Sequence, residues 1–152
     1  MEIKTFRELI EWTRELHAQL ARCLAHCTSL NEEERARMLL NYLAARESEI
    51  ERIVSEFERQ ADTNILETRV YDYLSRHPIK THRTCDEHYA QLDFNGISRE
   101  VLDYHEQIIS LYQALTEKNV IPRVRELMEA LLAMEKNESK RLAFQIGRMD
   151  SL

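Results

Sequence analysis

Residues Ile3, Phe6, Ile10, Thr13, His17, Leu20, Leu24 and Cys27 recur in alternating steps of three and four. That spacing lays one stripe along a helix, and it is not the period of a strand, whose faces alternate every second residue. Leu9, Leu16 and Cys23 flank the stripe and widen it enough to face a globular core. The same period returns in Ala36, Leu40, Leu43, Ile50, Val54 and Phe57, again in Val101, Tyr104, Ile108, Leu111 and Leu115, and once more in Val124, Met128, Leu131 and Leu142. Two Gly and two Pro in 152 residues argue against a loop-rich or all-β architecture. The chain is expected to be all-α.

Caps and breakers set the expected limits. The first helix is predicted from about Thr5 to Cys27. Asn31, followed by Glu32, Glu33 and Glu34, caps a second helix, with Glu34 reaching back in a capping-box manner, over about 31–61. Ser98 is expected to cap a third over about 98–118, and Pro122 suits the first turn of a fourth over about 122–148. Short connections around Ser29 and Asn119 make each pair antiparallel, giving two hairpins. Between them lies a crossover over about 62–97, longer than an ordinary loop. It is expected to hold a small helix from Asn64 to Ser75, capped by Asn64 and Glu67 and stopped by Pro78. A second capping signature runs from Thr84 to Glu87, and Asn95-Gly96 breaks the chain again. Two helical hairpins joined by one long crossover, in a single domain, describe the ferritin-like four-helix bundle, and the alternative is an up-down bundle with an excursion.

Composition excludes some partners. A formal charge of -6 gives no electrostatic reason to expect nucleic acid or anionic lipid. No apolar run approaches the ~20 residues needed to span a bilayer, so no membrane is expected as a partner. The N-terminal residues lack a signal-peptide pattern, and an odd count of three cysteines argues against a disulfide framework. Reduced thiols, with Cys23 and Cys27 as small core residues, and a cytoplasmic location are the expectations.

Three glutamates fall where the seams should be apolar. Glu47 interrupts the second stripe, and Glu135 and Glu138 interrupt the fourth. A carboxylate buried without a partner changes its pKa or finds a cation. Inward-facing acids on helices are also how bundle metal sites are built. On the first helix the seam carries His17. On the third, Tyr104 lies eight residues before Tyr112, with His105 and Glu106 adjacent but aimed partly elsewhere.

The segments Leu16-His17-Ala-Gln-Leu, Leu39-Leu-Asn-Tyr-Leu-Ala-Ala-Arg-Glu47, Ile65-Leu-Glu-Thr and Glu135-Lys-Asn-Glu138-Ser-Lys-Arg-Leu-Ala resemble the ferritin-like superfamily, in the manner of an uncharacterised bacterial branch of rubrerythrin-like bundles. That resemblance implies a fold and, in its usual form, two iron or manganese ions held by Glu-x-x-His motifs on two helices and a glutamate from each of the others. Here Ile50 stands where the second-helix motif would have histidine, and Glu138 replaces the histidine of the fourth. The metal set implied is Glu47, Glu135 and Glu138 with His17, and Tyr104 and His105 stand behind it. Counted from the nearest turns at ~1.5 Å per residue, the glutamates and Tyr104 share a level and His17 lies ~7 Å off it. The alternative is a metal-free network in which Arg46, Lys136 or Arg141, or Tyr104 and His17, satisfy the carboxylates.

His82, Cys85 and His88, with His77 nearby, have zinc-compatible types and spacing, although no second Cys or His pair follows at a finger-like distance. The charge-dense run from Glu47 to Arg59 reads as a solvated face of spaced Glu–Arg pairs. Three functional classes follow. The leading one is a non-catalytic or regulatory bundle with a degenerate carboxylate site, self-associating as a homodimer and holding no cofactor, or iron or manganese. The second is a metal-dependent oxidoreductase of rubrerythrin or ferroxidase type, with Glu47 and Glu135 bridging or terminal, Glu138 chelating and His17 giving the nitrogen. The third is a helical scaffold. No cage-forming helix follows the fourth, so storage of iron in a shell is not expected.

Overall fold

The computed structural model describes residues 3–79, 87–119 and 121–151. Among them the chain forms five helices and no strand: α1 Phe6–Thr28, α2 Glu34–Gln60, α3 Thr63–Leu66, α4 Phe94–Lys118 and α5 Pro122–Asp150. α1 packs along α2 and α4 along α5, and α2 also touches α4 and α5. Each long helix turns its apolar stripe inward, so that Phe6, Leu24, Leu40, Ile50, Ile108, Leu111, Met128 and Leu142 meet in one core.

Contacts at the helix ends fix how the pairs lie. Asn31, in the turn between α1 and α2, donates from Nδ2 to the carbonyls of Tyr89 and Leu92, both at 2.9 Å, just ahead of α4. Arg35 near the start of α2 bonds Asp150 at the end of α5 at 2.9 Å. Arg123 at the start of α5 faces Asp62 beyond the end of α2. The α1–α2 turn and the start of α4 therefore share one end of the molecule, and the start of α5 lies at the other. The connection from α2 to α4 has to run the length of the helices.

Several expected boundaries move, each for a local reason. α2 begins at Glu34, not Asn31, because Asn31 is held in the turn: its Oδ1 accepts from the Glu33 amide at 2.9 Å while its amide group holds the crossover. Glu33 is the capping residue and its side chain makes no cap bond, so the Asn31–Glu34 capping box does not form. α4 starts a full turn before Ser98, since Asp93 accepts from the Gly96 amide at 2.7 Å and starts the helix. Asn95-Gly96 thus lies inside a helix, and Ser98 bonds back to the Phe94 carbonyl. The helix expected from Asn64 to Ser75 shrinks to the single turn of α3, capped by Asp62 rather than Asn64. Its continuation pairs instead with the N-terminal segment: the Phe6 amide donates to Thr68, the Val70 amide to Lys4, and Thr5 and Arg69 form an isolated bridge. Pro122 does sit in the first turn of α5.

No helix among the described residues is long and apolar enough to cross a membrane. Cys27 stays a buried thiol, but Cys23 is disulfide-bonded. The expectation of three reduced thiols is corrected accordingly, and it no longer supports a reducing compartment.

Candidate metal centre

Each long helix sends one polar side chain into the middle of the core, where aliphatic neighbours would otherwise meet. His17 of α1 follows Thr13 and precedes Leu20; Glu47 of α2 lies between Leu43 and Ile50; His105 of α4 between Val101 and Ile108; Glu135 of α5 beyond Leu131. All four are at 0% exposure.

They close into a ring. His17 Nδ1 donates to Glu47 Oε2 and His17 Nε2 to Glu135 Oε1, both at 2.6 Å. His105 Nε2 donates to Glu47 Oε1, and His105 Nδ1 lies 3.4 Å from Glu135 Oε2. The imidazole centroids stand 5.5 Å apart. In each helix pair the histidine and glutamate are separated by 30 residues and linked through Nδ1, while Nε2 reaches the glutamate of the other pair. The pairing pattern is thus matched atom by atom between the two helix pairs, although the His105 Nδ1 contact is longer than its His17 counterpart. The sequence carries the same symmetry: His17 and His105, Glu47 and Glu135, the first residues of α1 and α4, and those of α2 and α5 are all offset by 88.

Charge follows from the bonding. Burial alone would drive both imidazoles toward neutrality and both carboxyls upward, but their mutual attraction and hydrogen bonds outweigh it. His17 is pushed up to about 10 and His105 to about 9. Glu47 and Glu135 are held down at about 2 by the two imidazoles. An ionised carboxylate only accepts, so all four ring nitrogens carry protons. Two imidazolium and two carboxylate groups sum to no net charge, which is how charge survives in a dry core.

The ring is flanked differently on its two sides. Toward the α1–α2 turn, Glu138 accepts from Arg46 at 2.7 Å. Toward the α4–α5 turn, Tyr112 donates to Thr13 Oγ1 at 2.8 Å, and Thr13 donates onward to the Ile10 carbonyl. Burial, with the Glu135 charge adding to it, pushes the Tyr112 phenol well above its usual range. A surface cavity between α1 and the crossover, lined by Trp12, Leu16, Tyr71, Tyr73 and Leu111 among others, has none of the four ring residues in its wall.

Of the residues expected to form a site, the structure brings His17, Glu47 and Glu135 together and adds His105 as an equal partner. His17 is central rather than ~7 Å away. It lies eleven residues before the end of α1, and Glu47 thirteen after the start of α2, because α2 starts late. Glu138 stays outside the ring, taken by Arg46. Tyr104 packs edge-on against the His105 ring. α4 buries a band two residues wide, Tyr104 with His105 and Leu111 with Tyr112, so a single three-four stripe through Tyr104 undercounts it. The 30-residue His-to-Glu spacing, repeated 88 residues later, is the signal that would have singled out His105. His82 and Cys85, and most of the Thr84–Glu87 signature, lie outside the described residues. His88 bonds Glu100 at 2.7 Å and His77 stacks on Tyr73.

Fold and site together define an all-helical protein with a buried His–Glu cluster in which His17, Glu47 and His105 could hold a metal ion. No protein-family model matches the chain, and no curated protein or solved structure matches it either.

The resemblance to ferritin-like proteins implies a two-metal carboxylate site, and the donor set argues against that fit. Such a site uses four glutamates and two histidines. The ring offers two of each. Of the histidine positions of the two motifs, one is Ile50 and the other is Glu138, already bound to a guanidinium.

Proposed function

We propose that this chain is a ferritin-like bundle that has given up oxygen chemistry for a closed, charge-neutral core, and that it acts as a non-catalytic structural or regulatory protein. The observation that carries this reading is the closure of the ring: four ligand-type side chains at 0% exposure, every nitrogen facing a carboxylate oxygen. A catalytic metal site keeps a coordination position open to substrate. No side chain here is left over to bind or activate one. The helix order supports the ferritin-like assignment, with two helix pairs whose turns lie at opposite ends and a long connection between them.

Phe144 on α5 and Met38 on α2, large apolar side chains at 69% and 49% exposure, support self-association through a helical face. The test of the main reading is kinetic. Protein supplied with two equivalents of Fe2+ or Mn2+ is expected to consume oxygen or peroxide no faster than Glu47→Ala treated alike. Metal-dependent turnover that disappears in Glu47→Ala would restore the oxidoreductase reading.

A further inference from the structure

Resting on the closed-site reading above, we propose that the ring is a mononuclear metal site, taking one divalent transition-metal ion of the zinc type on His17, Glu47, His105 and Glu135.

Distances are the first argument. A nitrogen of His17, an oxygen of Glu47 and a nitrogen of His105 lie within 4.8 Å of one another, and Glu135 lies outside that group, joined to it through the two imidazoles. Around a four-coordinate ion with bonds of about 2.0–2.2 Å, neighbouring donors stand about 3.3–3.6 Å apart. The His105 Nδ1–Glu135 Oε2 separation is already 3.4 Å, and the two His17 contacts at 2.6 Å need to open by less than the width of a bond.

The count of polar atoms is the second. Four imidazole nitrogens face four carboxylate oxygens. One ion takes one nitrogen from each histidine and one oxygen from each glutamate. The remaining nitrogen of each ring keeps its proton and donates to the remaining oxygen. Histidine ligands are generally oriented by such an N–H to carboxylate bond. The ring therefore contains both the ligands and the groups that aim them.

Charge decides the number of ions. Two neutral imidazole ligands and two carboxylates balance one divalent cation, so the four side chains and their occupant carry no net charge. A second divalent ion leaves two positive charges uncompensated among side chains at 0% exposure. Donor type decides the kind. Mixed imidazole and carboxylate ligands in a closed set of four suit zinc, whereas calcium and magnesium call for more oxygens and for water.

The full chain, stripped with chelator, is titrated with Co2+ as an optical probe and then with Zn2+. Metal content is measured in parallel on protein purified without chelator or affinity tag. One ion per chain is expected, with the intense visible bands of tetrahedral Co2+, bleached by one equivalent of Zn2+. His105→Gln and Glu135→Gln should lose those bands and weaken binding at least about 10- to 100-fold while retaining helical circular dichroism. If either variant fails to fold, the wild-type stoichiometry decides alone. Two ions per chain, or none, overturns the proposal. Oxygen turnover by iron-loaded protein overturns the closed-site reading instead, whatever the zinc stoichiometry.

Discussion

Three residues beyond Glu47 the first helix pair carries Ile50; three residues beyond Glu135 the second carries Glu138. Between the pairs the ring itself is matched atom for atom, yet the layers on either side are not. One side has the Arg46–Glu138 ion pair, the other the Tyr112–Thr13 hydrogen bond with Ile50 beside it. The difference shows which positions the core constrains. A ring residue answers to both pairs at once, because each imidazole bonds both glutamates. A residue one turn away answers only to its neighbours, and can be apolar on one side and ionised on the other provided a local partner satisfies it.

If that comparison is right, Glu47→Ala and Glu135→Ala should be nearly equivalent. Each strands two imidazolium groups against a single carboxylate, and removing one partner of a buried charge set costs about 3–5 kcal/mol. Urea unfolding of metal-free protein measures both. A difference between the two variants larger than the cost of either flank would show that the symmetry of the ring is geometric only.

The dependence on pH tests the charge assignment in chelated protein. The folded imidazoles sit near 10 and 9 against about 6.5 unfolded, so their contribution is complete below about pH 6.5 and is lost as pH rises through 9 to 10. The folded carboxyls sit near 2 against 4.5, so theirs is complete above about 4.5 and is lost as pH falls through 2. Stability should therefore plateau between about 4.5 and 6.5 and decline on the alkaline side, with smaller amplitude in Glu47→Gln. A thermal midpoint that rises from pH 6.5 to 9 contradicts two protonated histidines.

The flanks should be weaker and unequal. Glu138→Ile removes the acceptor of a half-buried guanidinium and is expected to cost about 1.5–3 kcal/mol. Thr13→Val leaves the buried Tyr112 hydroxyl without its acceptor, a neutral bond, for about 1–2 kcal/mol. Neither should alter the Co2+ spectrum. A spectral change in Glu138→Ile would place that carboxylate among the ligands and end the distinction between ring and flank.

Much of this was legible in the sequence where periodicity speaks. The four long stripes and the inward glutamates at positions 47 and 135 follow from spacing alone. His17 was legible as a seam residue, but its depth was not, because the late start of α2 depends on Asn31 bonding Tyr89 and Leu92, some sixty residues away. A single three-four stripe through Tyr104 leaves His105 at the margin, whereas the buried face of α4 is two residues wide. Glu138 has the spacing of a ligand, yet it pairs with Arg46, which reaches it from another helix. Local rules place a residue on a face; which partner it meets there is settled by the packing of several helices.

The smallest effect expected lies in the same stretch of α2 as the largest. Glu47 faces inward, while Glu49 bonds Arg52 and Glu56 bonds Arg59, both at 2.6 Å and three residues apart, on the solvent side. The charge density of this run is thus a surface property interrupted by one inward carboxylate. Exposed pairs hold two long side chains in place for little Coulomb gain in water, and salt screens what remains. Arg52→Ala should leave the unfolding midpoint unchanged at physiological ionic strength, with any small loss appearing only at low salt. A clear loss that persists in high salt would mean that the outer face of α2 is buried in the working protein. Combined with a drop in apparent mass on light scattering, it would locate the self-association surface there rather than at Met38 and Phe144.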